Sequence, residues 1–534
     1  MTTDDIASTL KLTAQLMELH DENPFKIKSI ANASFKLNKT DIDLFGKSQE
    51  ELENIEGIGK GIATKINELL TTGGLTELKL LLEKTPTGVV EILKVKGIGP
   101  KKVRMLWKEL EIESIGELLY ACNENRLISL KGFGEKTQAD VKKQIEFFKS
   151  NIGWYHYAAV EQYAMELVEL LKTKYDTSLV SLTGDVRRKC EVISCIDILI
   201  ATQEVVEITE FENKSAFNVR IITCQESDYF IRLFETTSSK DFNIEGFELS
   251  RTSSEEDLFV INHLQYIEPE LRENNNFIEL AKEIKIPKLI ELSELKGILH
   301  NHSNYSDGIN TLKEMAEYCK QLGYEYLGIC DHSQSAFYAN GMKIDKIVSQ
   351  HQEIDELNKE LFPFKIFKGV ESDILNDGSL DYPNEVLNAF DFIVASVHSN
   401  LKMSEEKANT RLIKAIENPY TTILGHPTGR LLLSRPGYPI SHKKIIDACA
   451  ANGVIIELNA HPYRLDIDWR WIPYCLDKGV KISINPDAHE KNGFHDLYYG
   501  TCVARKGGLM KEMCLNSLSL SEIEIYFNSR KPKN

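Results

Sequence analysis

A pattern of apolar and polar residues with helical periodicity fills the first 150 residues of the chain. Within it, one short arrangement occurs three times: an apolar residue, a variable residue and Gly-apolar-Gly, followed by an amphipathic segment. Apolar residues three and four positions apart indicate helices with one buried face. The front of the chain is therefore predicted to be all-α and built from a repeated hairpin of helices. The copies are NIEGIGKGIATKINELL from position 54, KVKGIGPKKVRMLWKEL from 94 and SLKGFGEKTQADVKKQI from 129.

The paired glycines of the three copies suggest contact with phosphate. Glycine adopts positive φ without strain and lets a ligand approach the backbone closely, and the N-terminus of the following helix presents free amides to an anion. Such contacts bind the backbone of a nucleic acid and not its bases, so we predict sequence-independent DNA binding. A helical array that only packs on itself is the alternative. The predicted contact residues are Gly57, Gly59, Gly97, Gly99, Gly132 and Gly134.

From residue 296 onwards the pattern changes to short β-like runs that alternate with amphipathic segments. Alternating strands and helices are typical of a parallel sheet. Seven such units predict a distorted (βα)7 barrel. The runs are KGILHNH, YLGICDHS, FKIFKGVESDIL, FDFIVASVHS, TTILGHPT, GVIIELNA and KISINPDAHE.

Imidazoles and carboxylates stand in or just after six of these seven runs. The carboxyl ends of barrel strands converge, so we expect one cluster, and so dense a cluster needs cations as partners. Mixed nitrogen and oxygen ligands suit Zn²⁺, Mn²⁺ or Fe rather than Ca²⁺. The expected nucleophile is metal-bound hydroxide, which forms near neutral pH. The nine predicted ligands are His300, His302, Asp307, His332, Glu371, His398, His426, Asp487 and His489.

Composition and charge narrow the class of protein. The chain is 42% hydrophobic and 27% charged, which is ordinary for a globular protein. We find no apolar run long enough to span a membrane and no signal-peptide pattern, so a cytoplasmic protein without membrane contact is predicted. The ten Cys form no CxxC pair, which fits reduced thiols. Of the net charge of −17, residues 1–150 contribute 22 Lys+Arg against 23 Asp+Glu, so a near-neutral front and an acidic back suggest different partners.

The middle of the chain contains GDVRRKCEVISCIDILIAT, a turn, an Arg pair and a buried strand that carries Asp197. Asp at alternate strand positions would place two carboxylates on one face, the type of ligand that Mg²⁺ uses in nucleotidyl transfer. With TGDVRR upstream and HLQYIEPELRE downstream, the segment resembles the palm and thumb of family X DNA polymerases. The resemblance covers the whole chain and implies lyase-like and fingers-like domains at the front. Lys65 falls where the family's Schiff-base lysine lies; a solvated surface lysine is the alternative.

Departures from the family's palm predict an inactive polymerase site. The family's first metal-binding Asp is Cys195 here and its third is Asn218, so Asp197 remains as a remnant carboxylate. Cys is a poor ligand for Mg²⁺. Asp185 replaces a Ser that helps to bind the nucleotide triphosphate, and its charge should repel the phosphates. A working template-directed polymerase with substitute ligands is the alternative.

The motifs HNHSNYSDG, CDHS, GVESDI, SVHS, GHPT and DAH resemble the polymerase-and-histidinol-phosphatase (PHP) domain, which bacterial family X polymerases carry at their C-terminus. The resemblance implies that all nine ligand positions of the family's metal site are filled and that two or three divalent ions bind. It also implies 3′–5′ exonuclease, 3′-end-processing or abasic-site activity. Arg430 and Arg435 are candidates to hold the substrate phosphate; solvated loop cations are the alternative.

The predicted fold class is multidomain: all-α helix-hairpin-helix domains, an α+β polymerase-type palm and thumb, and a C-terminal distorted (βα)7 barrel. The predicted function is that of a monomeric DNA-repair phosphoesterase that acts on gapped, nicked or 3′ ends of DNA. A small-molecule phosphatase of the histidinol-phosphate type and a non-enzymatic DNA-binding scaffold are the alternatives. The predicted boundaries are 1–85 for the lyase-like domain, 86–153 for the fingers-like domain, 154–230 for the degenerate palm, 231–287 for the thumb-like segment and 288–534 for the PHP barrel.

Overall fold

The structure is a computed structural model that describes residues 2–39, 44–123, 126–130, 132–151, 153–204, 206 and 217–531. The chain divides into two compact units, Met1–Ile152 and Gly153–Asn534. Across the described residues, no helix combines the length and the apolar character that crossing a bilayer requires.

The first unit is all-α in its described parts. The helices are short, and several have clear local stop and start signals: Thr2 and Ser48 form capping boxes, and Gly73 ends its helix with φ of 73°. Their apolar faces pack into one core. The helices are α1 Thr3–Leu19, α2 Pro24–Leu37, α3 Gln49–Glu53, α4 Lys60–Thr72, α5 Thr76–Glu83, α6 Thr87–Ile92, α7 Pro100–Leu110, α8 Ile115–Asn123 and α9 Glu135–Asn151.

The second unit begins with a small α+β region. In its three-stranded sheet, β2 lies antiparallel to the central strand β4, and β5 lies parallel to β4. A separate pair joins β1 to β3. The strands are β1 Tyr155–His156, β2 Val180–Thr183, β3 Val192–Ile193, β4 Ile196–Ala201 and β5 Val219–Cys224. The helices are α10 Tyr157–Lys174, α11 Gly184–Arg187, α12 Tyr229–Thr237, α13 Glu255–Ile261 and α14 Ile278–Lys282.

Seven parallel strands in sequential order form the rest of the second unit. Most of their residues are buried on both faces, as expected where helices cover a parallel sheet. A parallel bridge between Asn301 and Ala488, just beyond the first and last strands, nearly closes the barrel. The strands are β6 Gly297–Ile298, β7 Tyr326–Ile329, β8 Lys365–Asp373, β9 Phe392–Ser396, β10 Ile423–Leu424, β11 Ile455–Asn459 and β12 Ile482–Asn485.

Helices connect the barrel strands and follow the last one. They are α15 Leu312–Gln321, α16 Ile344–Glu360, α17 Asn384–Leu387, α18 Glu405–Ile416, α19 His442–Asn452, α20 Ile472–Asp477, α21 Leu497–Lys506 and α22 Leu520–Arg530. The predicted fold class, with an all-α front and a (βα)7 barrel at the back, is confirmed. The division into five domains with the stated boundaries stays a prediction.

Candidate functional site

The nine predicted ligand residues lie together at the carboxyl end of the barrel strands. Three groups among them have ligand atoms within 4.8 Å of one another. The groups are His302, Asp307, His332 and His489; His300, His302 and Asp487; and His332, Glu371 and His398. The ninth residue, His426, places Nε2 3.0 Å from Glu371 Oε1.

Glu371 is the centre of this cluster. Its Oε1 atom lies 3.1 Å from His398 Nε2 and 3.3 Å from His300 Nε2. Its Oε2 atom lies 2.8 Å from His332 Nδ1. One buried carboxylate therefore faces imidazoles from several strands, and together these groups would be able to hold cations.

The backbone is strained at three of the nine positions. His300, His426 and Asp487 have φ of 56°, 21° and 53°. Positive φ costs a residue with a side chain about 1–3 kcal/mol and persists only where the surrounding structure enforces it. Each of the three residues follows a strand by one or two positions, so the strained turn directs its side chain to the axis of the barrel instead of along the strand.

A second layer of carboxylates orients the imidazoles. Glu457 Oε1 lies 2.6 Å from His300 Nδ1, and its other oxygen accepts the His426 backbone N–H at 2.7 Å. Asp373 Oδ1 lies 2.5 Å from His398 Nδ1. A carboxylate on Nδ1 fixes the ring and leaves Nε2 for a metal. Sequence reasoning missed Glu457, although a lone Glu inside the apolar run GVIIELNA is a signal that a buried partner exists.

The charges of the cluster shift its pKa values in opposite directions. Burial works to raise the pKa of Glu371 and Asp487, yet the facing imidazoles hold both well below the usual range. Burial works to lower the pKa of His398 and His489, yet the carboxylates of Glu371 and Asp307 raise them to about 10 and about 9. The carboxylates thus favour the charged forms of these two imidazoles, and the imidazoles favour the charged forms of the carboxylates.

Two buried ring nitrogens test whether the residues fit a metal. His302 and His426 each present Nε2 to a carboxylate oxygen at 3.0 Å. Nδ1 of each ring is buried and makes no hydrogen bond within the described residues. A buried polar atom without a partner costs free energy, and imidazole nitrogens beside carboxylate oxygens form a donor set for Zn²⁺, Mn²⁺ or Fe. The residues present therefore fit divalent transition metals.

The arginines near the site have different surroundings. Arg430 donates to Asp468 Oδ2 at 2.6 Å and to the carbonyl of Arg464 at 2.9 Å, and Arg435 donates to the carbonyl of Gly429 at 2.7 Å. Their assignment to a substrate phosphate stays a prediction. Arg464, which sequence reasoning missed, places Nε 3.7 Å from Asp487 Oδ2 and is the cation that lies next to the cluster.

The three Gly-apolar-Gly segments of the first unit share one geometry. Gly57, Gly97 and Gly132 have φ of 87°, 87° and 88°. In each copy the next N–H closes a turn onto a carbonyl three residues earlier, at 2.9, 3.4 and 3.0 Å. A Cβ atom at Gly97 or Gly132 would meet no atom within 4 Å, so the backbone is open to a ligand there. The turn needs glycine for its φ in all three copies, and at Gly57 a Cβ would in addition meet the Lys36 side chain at 2.6 Å.

The second glycine of each pair introduces a helix. Gly59 and Gly99 are the N-cap residues of α4 and α7, and the Gly134 carbonyl accepts the Gln138 N–H as α9 begins. The amides of a first helical turn have no carbonyl partner within their own helix. The geometry is thus suited to phosphate oxygens; binding by these glycines stays a prediction.

Lys65 lies on α4 and is mostly buried. Its Nζ atom forms an ion pair with Glu77, which also pairs with Lys26. Burial works to raise the pKa of Glu77, but hydrogen bonds from the two lysines hold it below its ordinary value. A lysine that acts as a nucleophile must have its amine free, and here the amine is engaged in the ion pair with Glu77. A lyase role of Lys65 stays a prediction.

Comparison with known proteins identifies the chain. Residues 1–75 match the model of the helix-hairpin-helix domain, residues 89–146 that of the SAM-like helix-hairpin-helix tandem, and residues 299–461 that of the PHP domain. An alignment of 574 positions joins the chain to the DNA polymerase/3′–5′ exonuclease PolX of Bacillus subtilis. The two proteins are 32% identical, with 98% of each chain covered. The chain belongs to the bacterial family X DNA polymerases with a C-terminal PHP domain.

The barrel of this family X chain also has shorter relatives. A probable phosphatase of Acetivibrio thermocellus is 30% identical over 200 residues, which cover 36% of this chain and 78% of that protein. The histidinol phosphate phosphatase of Lactococcus lactis, solved with zinc, L-histidinol and phosphate, is 17% identical, with 40% of this chain and 94% of that chain covered. Its TM-score of 0.33 is too low to establish a shared fold.

In the region predicted to be the palm, Asp197 and Asp185 are each paired with an arginine. Asp197, on β4, accepts two hydrogen bonds from Arg220 on β5, at 2.8 and 2.6 Å. Asp185 forms an ion pair with Arg188. Cys195 is a protonated thiol, because burial and the charge of Asp197 raise its pKa to about 12. The amide of Asn218 donates to the Ser194 carbonyl at 3.1 Å; its correspondence to the family's third Asp stays a prediction.

Proposed function

We propose that this family X chain is a metal-dependent phosphoesterase that removes nucleotides from DNA in the 3′–5′ direction. The observation that carries the proposal is the convergence of nine imidazoles and carboxylates at one end of the barrel, with buried ring nitrogens left without partners. The nine residues would hold two or three ions of Mn, Zn or Fe. When bound, such cations lower the pKa of a water molecule and neutralise phosphate oxygens.

The chain's own residues orient and position the reactants. Glu457 and Asp373 hold the rings of His300 and His398 through Nδ1, so that Nε2 of each faces Glu371. Arg464 supplies a guanidinium beside Asp487 and is placed to bind an oxygen of the substrate phosphate. Fixed donors of this kind stabilise the charge that develops in phosphoester cleavage without reorganising during the reaction.

DNA is the proposed substrate because the first unit repeats the phosphate-type turn three times. Contacts from such turns would bind gapped, nicked or 3′-terminal DNA without regard to sequence. The name of the Bacillus subtilis relative, which includes a 3′–5′ exonuclease, supports this choice. A phosphatase of small molecules would gain nothing from these three hairpins.

We propose further that the palm does not polymerise. The two carboxylates at the predicted polymerase site each have a guanidinium partner, Arg220 for Asp197 and Arg188 for Asp185. The charge available to hold two Mg²⁺ ions is therefore already compensated, and Cys195 adds no suitable ligand.

The test is metal analysis of the purified full chain followed by assays on DNA labelled at either end. We expect two or three transition-metal ions per chain and, with 5′-labelled DNA, a ladder of shortening products. Asp487→Ala should remove the ladder, and the exposed Asp477→Asn serves as its control. Extension of a primer would favour the polymerase alternative. Hydrolysis confined to small phosphomonoesters would favour the phosphatase alternative, and binding without any hydrolysis would favour the scaffold.

A further inference from the structure

The loop after the sixth barrel strand, residues 459–466, borders the metal centre and is fixed at both ends. Asn459 donates from Nδ2 to Asp487 Oδ2 at 3.0 Å, and its N–H donates to the Asp466 carbonyl at 2.6 Å. Asp466 Oδ2 accepts the N–H and the hydroxyl of Thr428, both at 2.9 Å. None of the nine candidate ligands comes from this loop, so its side chains are available for another role.

Tyr463 stands at the tip of this loop with an exposed ring. The residue is 54% exposed and precedes Arg464, whose guanidinium lies beside Asp487 of the cluster. Its N–H donates to His461 Nδ1 at 3.2 Å, and its carbonyl accepts the Leu432 N–H at 2.6 Å. The backbone behind the ring is therefore held while the ring itself faces solvent.

His156, from the start of the second unit, supports the ring. The two ring centroids are 4.3 Å apart at an interplanar angle of 41°. His156 Nε2 lies 3.1 Å from the Leu432 carbonyl, the same residue that fixes Tyr463. Residues far apart in sequence thus hold one exposed aromatic ring in place. A tyrosine that is exposed by chance does not need such support.

The next residue along the loop is Arg464, whose Nε lies 3.7 Å from Asp487 Oδ2. A cation for phosphate and an exposed ring are therefore neighbours in the chain. A nucleotide presents the same two groups, a phosphate and a flat base, on one sugar. Aromatic side chains bind the faces of unpaired bases with little regard to sequence.

We propose that Tyr463, supported by His156, is the stacking platform for the terminal base of a single-stranded DNA end whose phosphate binds at Arg464 and the metal centre. This inference rests on the proposed nuclease function and adds a residue that determines specificity. It also gives the barrel itself a means to prefer nucleotides over small phosphoesters, independent of the hairpins of the first unit.

The test compares two substrates of the metal-loaded full chain. Tyr463→Ala should raise KM for a single-stranded oligonucleotide about tenfold and leave hydrolysis of p-nitrophenyl phosphate unchanged. Tyr463→Phe should behave as the unmodified protein, because the stacking face is kept. The matched control is Phe362→Ala, an exposed aromatic residue in the loop that precedes the third barrel strand, at the opposite end of the barrel.

A binding measurement separates the platform from catalysis. Calorimetry on the unmodified chain should give tighter binding of dAMP than of deoxyribose 5-phosphate, and Tyr463→Ala should remove that difference. His156→Ala should weaken dAMP binding in the same direction, with circular dichroism as the check on folding. Equal affinities of the unmodified chain for the two ligands would overturn the platform, as would equal effects of Tyr463→Ala on both substrates. Loss of the proposed function would appear differently, as absence of hydrolysis with the base-dependent binding intact.

Discussion

The palm region and the barrel both collect carboxylates at strand ends, but they balance the charge in different ways. In the palm, Asp197 and Asp185 are each paired with an arginine, which cannot give up its proton. In the barrel, Glu371 faces imidazoles, and Asp487 lies 3.0 Å from His302 Nε2, closer than the 3.7 Å that separates it from Arg464 Nε. An imidazole can lose its proton and bind a metal, so the barrel cluster can exchange protons for cations, whereas the palm pairs are already complete.

The type of partner that a carboxylate has distinguishes a remnant site from a site whose residues suit a ligand. A carboxylate that accepts hydrogen bonds from a guanidinium stabilises the fold. Removal of that carboxylate is then expected to lower the stability of the protein. A carboxylate that lies among ring nitrogens without hydrogen-bond partners has no protein partner as strong as a guanidinium. Its removal is expected to affect metal binding and activity. Substitutions in the two regions should therefore differ in what they change.

The largest effect is expected from Asp487→Ala in the barrel. Loss of an orienting residue outside the ligand set already costs a metal site about 10–100-fold, so loss of a ligand should lower phosphoester hydrolysis by at least about a hundredfold. The metal content should fall, and circular dichroism of the metal-free protein checks that the fold survives. An activity within a few-fold of the Asp477→Asn control would refute the role of Asp487.

The second prediction concerns stability in the region between palm and barrel. Glu255 accepts hydrogen bonds from Arg187 at 2.9 and 2.6 Å and from the fully buried Arg272 at 2.6 Å. Removing one partner from a buried ion pair strands the others and costs about 3–5 kcal/mol. Glu255→Gln should lower the free energy of unfolding by that amount, and the exposed Glu256→Gln in the same helix should not.

The same carboxylate predicts a dependence on pH. Burial works to raise the pKa of Glu255, but the two arginines hold it at about 2 in the folded protein, below its ordinary value of 4.5. Its contribution is therefore complete above pH 4.5 and is lost as the pH falls towards 2, by about 3 kcal/mol in total. Urea unfolding between pH 6 and 3 should show a steeper loss in the unmodified protein than in Glu255→Gln; parallel curves would contradict the assignment.

The third prediction tests the orienting carboxylate of the barrel. Glu457→Gln keeps the shape of the side chain but weakens its hold on His300 Nδ1. Metal affinity should fall about 10–100-fold, as measured by competition with a chelator, and added metal should restore hydrolysis. Asp447→Asn, on the outer helix α19, is a suitable control. Loss of activity that excess metal does not restore would indicate a role other than orientation.

The sequence allowed us to predict that the nine barrel residues lie together, because each unit of one strand and one helix brings its polar side chain to the same end of the barrel. That these residues bind metal stays a prediction. It did not allow prediction of Glu457, because a Glu inside an apolar strand has no visible partner until the strand order is known. The pairing of Asp197 with Arg220 was also missed, since it depends on the parallel register of β4 and β5. Arg464 and Arg430 follow different strands. Which of them lies beside Asp487 and which pairs with Asp468 depends on how the loops fold.

The smallest effect is expected in the palm, where we predict no template-directed incorporation with Mg²⁺. Primer extension is best measured in the Asp487→Ala background, so that hydrolysis by the barrel does not erase the products. Cys195→Asp, Asn218→Asp and Asp185→Ser together restore two carboxylates beside Asp197 on the metal side and remove the charge from the triphosphate side. This combination should yield trace extension, because Arg220 still binds Asp197, and any one substitution alone should yield none. Robust extension by the chain with an unmodified palm, lost on Asp197→Ala, would show that the arginine pairs open in the presence of nucleotide and that the palm is an active site after all.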